Sequence, residues 1–305
     1  MTIPSLQRLR RGWLGPCTMA LTVGLLLGAS PSELLFATPG ASQVASQHVS
    51  AVPAEAQAIN KTCTLDPIIP EAIKVENTDA SEWHGRFDLP DVQRLWEPAE
   101  SDSVVTHFRD AVRRRLGRDI DSRTLLERQR AIFATLPREW SGEATNARLV
   151  LEAHVGDITP MSCLEVMLWK WQASRYPMLE HPTEFGAFLL RGHGRVRVYL
   201  SSADLVGQRI RDTITKLVEG DIAAGFHVVA HVHNHPFLFD RHVGDRMWTL
   251  KGTTGDVAGA LAPSMTDVQL YRNLRRSCGL REAWVTNGFE TARFRADEFD
   301  TLVGR

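Results

Sequence analysis

Three histidines spaced two apart, His231, His233 and His235, close an apolar run that begins at Phe226 and stops at Pro236. A strand repeats every two residues, so this spacing puts all three imidazoles on one face. Pro236 has no N–H to give to a ladder. The strand therefore ends there and leaves His233 and His235 at its mouth. Neutral imidazoles two apart at a strand end can converge on one metal ion, because histidine is a preferred nitrogen ligand for zinc. A single His-x-His pair is also found among ordinary surface and core histidines, so the neighbouring elements carry the decision. His231 faces the same way and is read as a packing residue behind the pair.

Those neighbours alternate between helix and strand. Leu164, Met167, Leu168 and Trp171 mark an amphipathic helix over about 161–176, stopped by Pro177. Phe185–Leu190 is a continuous apolar run, and Val196, Val198 and Leu200 alternate over 195–200. Arg191-Gly192-His193-Gly194 joins them as a hairpin. A helix carrying Val206, Ile210, Ile214, Leu217 and Val218 is expected next, capped by Asp204 and ending near Gly225. Ser264-Met265-Thr266-Asp267 opens a further helix whose apolar face is Val268, Tyr271 and Leu274. A serine followed three residues later by an acid is a capping box, and capping alone accounts for both residues. Beside a His-x-His strand end the same two residues also offer a third ligand and a hydroxyl. Glu282–Thr286 and Glu290–Phe294 flank Asn287-Gly288 as a closing hairpin. The fold class expected is α/β, a mixed sheet flanked by helices and preceded by a mostly helical region.

The upstream half reads differently. Arg8, Arg10 and Arg11 precede an apolar stretch from Met19 to Leu27 and then small residues, the layout of a secretory signal over 1–45. The stretch is short and broken by Gly24 and Gly28, so it is not read as a membrane span. Cleavage after Ala29, Ala37, Ala41 or Ala45 remains open, and Arg10-Arg11 faintly resembles a twin-arginine signal. Residues 46–60 read as a linker. Over 61–145 a helical region is expected. Val104, Val105, Phe108, Val112 and Leu116 mark one helix capped by Gly117, and Leu125, Leu126, Ile132 and Phe133 mark another. Arg113-Arg114-Arg115 is read as a solvated face, against the sharper reading of a surface for an acidic partner. No catalytic pattern stands out in this region.

Composition removes whole classes. At 305 residues with 43% hydrophobic and 23% charged side chains, the chain is globular rather than disordered. Removing 1–45 takes three arginines and Glu33 from 35 basic and 36 acidic residues, leaving a net charge of −3. That gives no field for nucleic acid, and no membrane partner is expected beyond the signal segment. Four cysteines without a Cys-x-x-Cys pair make neither a zinc ribbon nor a disulfide scaffold. In an oxidising compartment two of Cys63, Cys163 and Cys278 are free to pair, and the sequence does not say which. There is no His-Glu-x-x-His helix, no Gly-x-Ser-x-Gly elbow and no P-loop.

Residues from about 150 to the end resemble the JAMM/MPN metallopeptidase family. That family's pattern is a Glu on an early strand, then His-x-His-Pro, then Ser-x-x-Asp opening a helix. Here the corresponding residues are Glu184, His233-Asn234-His235-Pro236 and Ser264-Met265-Thr266-Asp267, and His-Asn-His-Pro is the local form of the RadC-type branch. The resemblance implies an MPN-like domain over 146–305. It implies one Zn²⁺ per chain held by His233, His235 and Asp267, with an open fourth position. It makes Glu184 the general base and acid, and Ser264 the hydrogen-bond donor to the oxyanion. The implied activity is metal-assisted hydrolysis of a peptide or isopeptide bond in a protein or peptide substrate. The N-terminal signal, read separately, places the protein outside the cytoplasm, in the periplasm or secreted.

One departure stands against the pattern. His235 and Ser264 are 29 positions apart, where the family has a much shorter connection. The extra segment over 237–262 reads as a substrate loop, or else as a sign that Ser264 and Asp267 only cap a helix. In the second case His242 or Asp245 are rival ligands. Glu165 is a rival to Glu184, read as a surface residue of its helix. A non-catalytic MPN-like scaffold or binding module is the alternative function, and zinc stoichiometry separates the two. Oligomeric state is not legible.

Overall fold

The computed structural model describes residues 63, 70–76, 78, 80–99, 102–204, 206–207, 210–237 and 259–305. The signal and linker readings over 1–60, and the rival ligands His242 and Asp245, lie outside the described residues.

The centre of the fold is the apolar run predicted as the first hairpin strand. Phe185–Gly192 (β4) has its first six residues buried, and burial on both faces is what a continuous apolar run of this length requires. Its side chains divide by parity. Phe185, Ala187 and Leu189 join one apolar cluster, while Phe188 and Leu190 join a second on the opposite side. The first cluster is closed by helices α1 (Ser103–Leu116) and α4 (Cys163–Arg175). The second holds residues of α2 (Ser122–Ala134), α3 (Ser141–Leu151), α5 (Asp212–Ala223) and α6 (Met265–Cys278).

Around β4 runs an eight-stranded mixed sheet. The strands are β1 (Glu71–Ala72), β2 (Glu82–Pro90), β3 (Asp157–Pro160), β5 (Arg195–Ala203), β6 (His227–Asn234), β7 (Glu282–Thr286) and β8 (Glu290–Arg295). Their order is β1-β2-β5-β4-β6-β7-β8-β3. Every pairing is antiparallel except β6 with β7. A parallel pair needs a crossover, and α6 lies in the connection that supplies it. The chain is therefore a mixed α/β fold. No helix among the described residues is long and apolar enough to cross a membrane.

Several details differ from the expectations. The region read as helical over 61–145 does hold α1 and α2, but it also supplies β1 and β2 to the same sheet. Arg197 of β5 holds β2 in place, taking both oxygens of Asp88 at 2.7 Å while its other arm reaches Asp221 of α5 at 2.6 Å. The helix expected from Val206 starts later, at Asp212. Asp204 does not cap it, because the N-cap position falls on Arg211, and the Asp204 side chain pairs with His181 instead. Cys63 is disulfide-bonded to Cys163 across a sequence separation of 100, with Cα atoms 5.1 Å apart, and Cys278 is free.

Candidate metal centre

β6 sits between β4 and β7 and ends at the edge where the crossover to α6 begins. Ligand sites in α/β sheets gather outside the carboxyl ends of strands. His233 stands opposite Gly186 in the ladder, and His231 opposite Phe188. Both imidazoles therefore point to the side of the sheet that α6 covers. His235 lies just past the strand, its backbone N–H still bonded to the Thr286 carbonyl of β7 at 2.9 Å.

The tautomer of His235 follows from its neighbour. Nδ1 is 2.7 Å from the Ala260 carbonyl. A carbonyl only accepts, so Nδ1 carries a proton, and Nε2 is the nitrogen that faces the other two groups and would lose its proton to bind an ion. Nε2 of His235 is 3.2 Å from Nε2 of His233.

The third group arrives on α6. Ser264 is its N-cap and Asp267 its N3 residue, in a full capping box. Asp267 Oδ2 accepts from the Ser264 N–H at 2.8 Å and the Ser264 hydroxyl at 2.7 Å, while Ser264 Oγ accepts the Asp267 N–H at 3.1 Å. The same Oδ2 lies 3.6 Å from His233 Nε2 and 3.5 Å from His235 Nε2. Capping and ligation are thus compatible, because a capping carboxylate can present its oxygen to the strand.

These separations can be tested against a metal. Ligand atoms roughly 2.0–2.2 Å from a zinc ion at tetrahedral angles lie about 3.3–3.6 Å apart. The three observed separations of 3.2, 3.5 and 3.6 Å match that spacing closely. Two neutral nitrogens and a carboxylate suit a divalent transition metal. Among the described residues, His233, His235 and Asp267 are the group of this kind that converges.

Without an ion the group behaves as a charge pair. Burial opposes a charge on His235, but the Asp267 carboxylate outweighs it and pushes the imidazole up to about 9. Burial would likewise raise Asp267, yet the two histidines hold its carboxyl well below the usual range. His231 is fully buried between Phe188, His233 and Tyr271, and burial pushes it down to about 3, so it is neutral.

Glu184 precedes β4 on the same side of the sheet. The residue between the two histidines places it. Asn234 Oδ1 accepts the Phe185 N–H at 2.7 Å, and its Nδ2 donates to the Thr183 carbonyl at 3.0 Å. Gln172 of α4 adds a bond to Thr183 Oγ1 at 2.7 Å. Burial raises the Glu184 carboxyl above its ordinary value, against the pull of His235 and His233, and the Gly207 N–H donates to it. A carboxyl raised above its ordinary value beside the His233, His235 and Asp267 group is the kind of side chain that exchanges protons in an active site.

The rival Glu165 has a different occupation. It is fully buried rather than exposed, caps α4 with Ser162, and bonds Arg293 at 2.6 Å. It fastens α4 to β8. The 29-position connection also leaves the centre intact. Phe237 and Gly259, at its two ends, pack together so closely that a Cβ on Gly259 would come within 2.4 Å of the Phe237 ring. The chain returns where it left, and α6 starts beside β6.

Two residues at or beside the centre escaped the sequence reading. Asn234 lay inside the motif without an assigned role. Glu143 lay on α3, in the stretch read as free of chemistry. It is 6% exposed, and its Oε1 accepts the Met265 N–H at 3.2 Å. Burial pushes its carboxyl from 4.5 up to about 7, with Asp267 adding to the rise and the Met265 N–H and His235 opposing it. A carboxyl raised in the folded state stabilises the fold fully below about 4.5, and that contribution is lost as pH rises through about 7. Over this window the loss amounts to about 3 kcal/mol. Urea unfolding of wild type and Glu143→Gln at pH 4.5 and pH 8 should show wild type losing about that much relative to the variant. Parallel stabilities at the two pH values would contradict the assignment.

Comparison of the chain with protein-family models, with curated proteins and with solved structures finds no match.

Proposed function

We propose that this chain is an exported zinc-dependent metallohydrolase of JAMM/MPN type that cleaves a peptide or isopeptide bond. The observation that carries the reading is the convergence of His233, His235 and Asp267 Oδ2 at tetrahedral ligand spacing, with a half-buried Glu184 beside them. The three residues would hold Zn²⁺. Bound zinc supplies a Lewis acid and lowers the pKa of water toward roughly 7. Glu184 accepts the proton of the attacking water on its carboxylate and returns it to the leaving amine. Its raised pKa suits both halves of that transfer. Ser264 turns its hydroxyl from Asp267 toward the substrate carbonyl and donates to the oxygen as charge develops there. Asn234 keeps Glu184 in place by bonding the backbone on both sides of it, and Gln172 holds the Thr183 hydroxyl. A mixed sheet with helices on both faces is compatible with an MPN-like domain. The Cys63–Cys163 disulfide supports a secreted or periplasmic protein, because such bonds persist in oxidising compartments. A full ligand set favours this reading over a scaffold, which has no use for one.

The test is a panel of peptide and isopeptide-linked substrates with the mature protein. Turnover should vanish on chelation and return with added zinc. Turnover that survives chelation would contradict the proposal, as would an inactive zinc-loaded protein across both substrate classes.

A further inference from the structure

The helix α3 begins in the upstream region, where Gly142 and Glu143 lie, and runs past residue 145, and one side of it meets the turn that opens α6. Gly142 lies so close to Met265 that an added Cβ would come within 2.2 Å of the Met265 sulfur. Glu143 takes the Met265 N–H at 3.2 Å. Asn146 Nδ2 donates to the Pro263 carbonyl at 3.2 Å and to the Val303 carbonyl at 3.0 Å, and its Oδ1 accepts the Val303 N–H at 2.8 Å. The contacts at the entry to α6 fall on Pro263 and Met265, on either side of the N-cap Ser264.

The first N–H groups of a helix have no partner within it. In α6 the Asp267 N–H goes to Ser264 Oγ, within the cap, whereas the Met265 N–H is satisfied from outside. Glu143 satisfies it from another helix. Burying a carboxylate costs several kcal/mol unless it is hydrogen-bonded, and a second carboxylate near Asp267 adds repulsion. Simple packing would favour an apolar residue at position 143. The bond to Met265 gives a physical reason for a carboxylate there. The direction of Asp267 Oδ2 is set by Ser264, and the position of Ser264 is set by what holds its two neighbours.

We propose that Glu143 is a positioning residue of the metal centre, which with Asn146 fixes the first turn of α6 so that Asp267 Oδ2 stands opposite the two imidazole Nε2 atoms. The upstream region then works as part of the site. This inference rests on the zinc reading of the centre, and its test separates the two.

The experiment compares the mature wild-type chain with Glu143→Ala and Glu143→Gln. Zinc affinity is read by chelator competition, and amide exchange is read in the metal-free proteins at Met265 and at β6. Loss of a residue that orients a metal ligand weakens binding by about 10- to 100-fold, which is the result expected for Ala. Gln keeps an acceptor and should restore affinity to near wild type. The Met265 amide should exchange faster in the Ala variant while the Val228–His231 amides stay protected. Wild-type affinity in Glu143→Ala would overturn the proposal. So would a Gln variant as weak as Ala, or loss of protection throughout β6, which would mark a general loss of structure. If wild type binds no zinc, the zinc reading fails. Unchanged Met265 exchange in the Ala variant would then overturn the grip on α6 as well, and faster exchange confined to Met265 would uphold it.

Discussion

Glu184→Gln is expected to lower kcat by about 10²- to 10⁴-fold and to leave zinc content unchanged, the range lost when a general acid–base group is removed. The substitution is nearly isosteric, and its amide oxygen still accepts the Gly207 N–H that reaches the carboxylate in wild type. Asn234 holds the backbone on either side and Gln172 holds the Thr183 hydroxyl, so the side chain should stay in position. What is lost is the ability to take a proton. Because Glu184 is not one of the converging ligands, metal content should match wild type. Peptidase kinetics and elemental analysis on the same preparation check both halves. An active variant would remove Glu184 from the chemistry, and a metal-free variant would make it a ligand instead.

The second large effect concerns the Cys63–Cys163 bond. Replacing both cysteines by alanine should destabilise the fold by about 4–5 kcal/mol, the chain-entropy estimate for a closed loop of this length. The bond spans 100 residues and fastens the chain before β1 to the start of α4, where both cysteines lie in one apolar cluster. That loss corresponds to a fall in Tm of about 10–20 °C for a domain of this size. Calorimetry of wild type and the double variant under non-reducing conditions checks it. Equal transition temperatures would mean that the bond does not form in the purified protein, and would remove its support for an exported location.

Much of the arrangement was legible because its pattern is local. The hairpin of β4 and β5 and the closing pair β7 and β8 follow from alternation and Gly-containing turns. At the first hairpin, His193 and Gly194 both take positive φ values of 53° and 70°. The histidine face follows from period two alone. Other parts are set by tertiary placement. β2 does alternate, with Phe87 and Leu89 in the apolar cluster and Arg86 and Asp88 in ion pairs, but Gly85 and the terminal Pro90 weaken the signal. α3 buries Glu143 and Asn146, and polar residues on the inner face hide the helical period.

The two capping boxes make the point most clearly. Ser162-Cys163-Leu164-Glu165 and Ser264-Met265-Thr266-Asp267 have the same local chemistry and the same reciprocal hydrogen bonds. One acid faces Arg293 and fastens a helix to the sheet, and the other faces two imidazoles. The strand opposite each helix decides which, and no spacing within either motif encodes it. The same holds for the long connection after His235, whose ends are brought together by Phe237 and Gly259.

Metal content tests the central claim most directly. Mature wild-type protein and the His233→Ala/His235→Ala variant are purified in parallel, supplied with zinc, and measured by elemental analysis. About one zinc per wild-type chain, lost in the variant, is the result the three converging ligands predict. A folded wild type that holds no zinc would contradict it, and the histidines of β6 would then be packing residues of a scaffold.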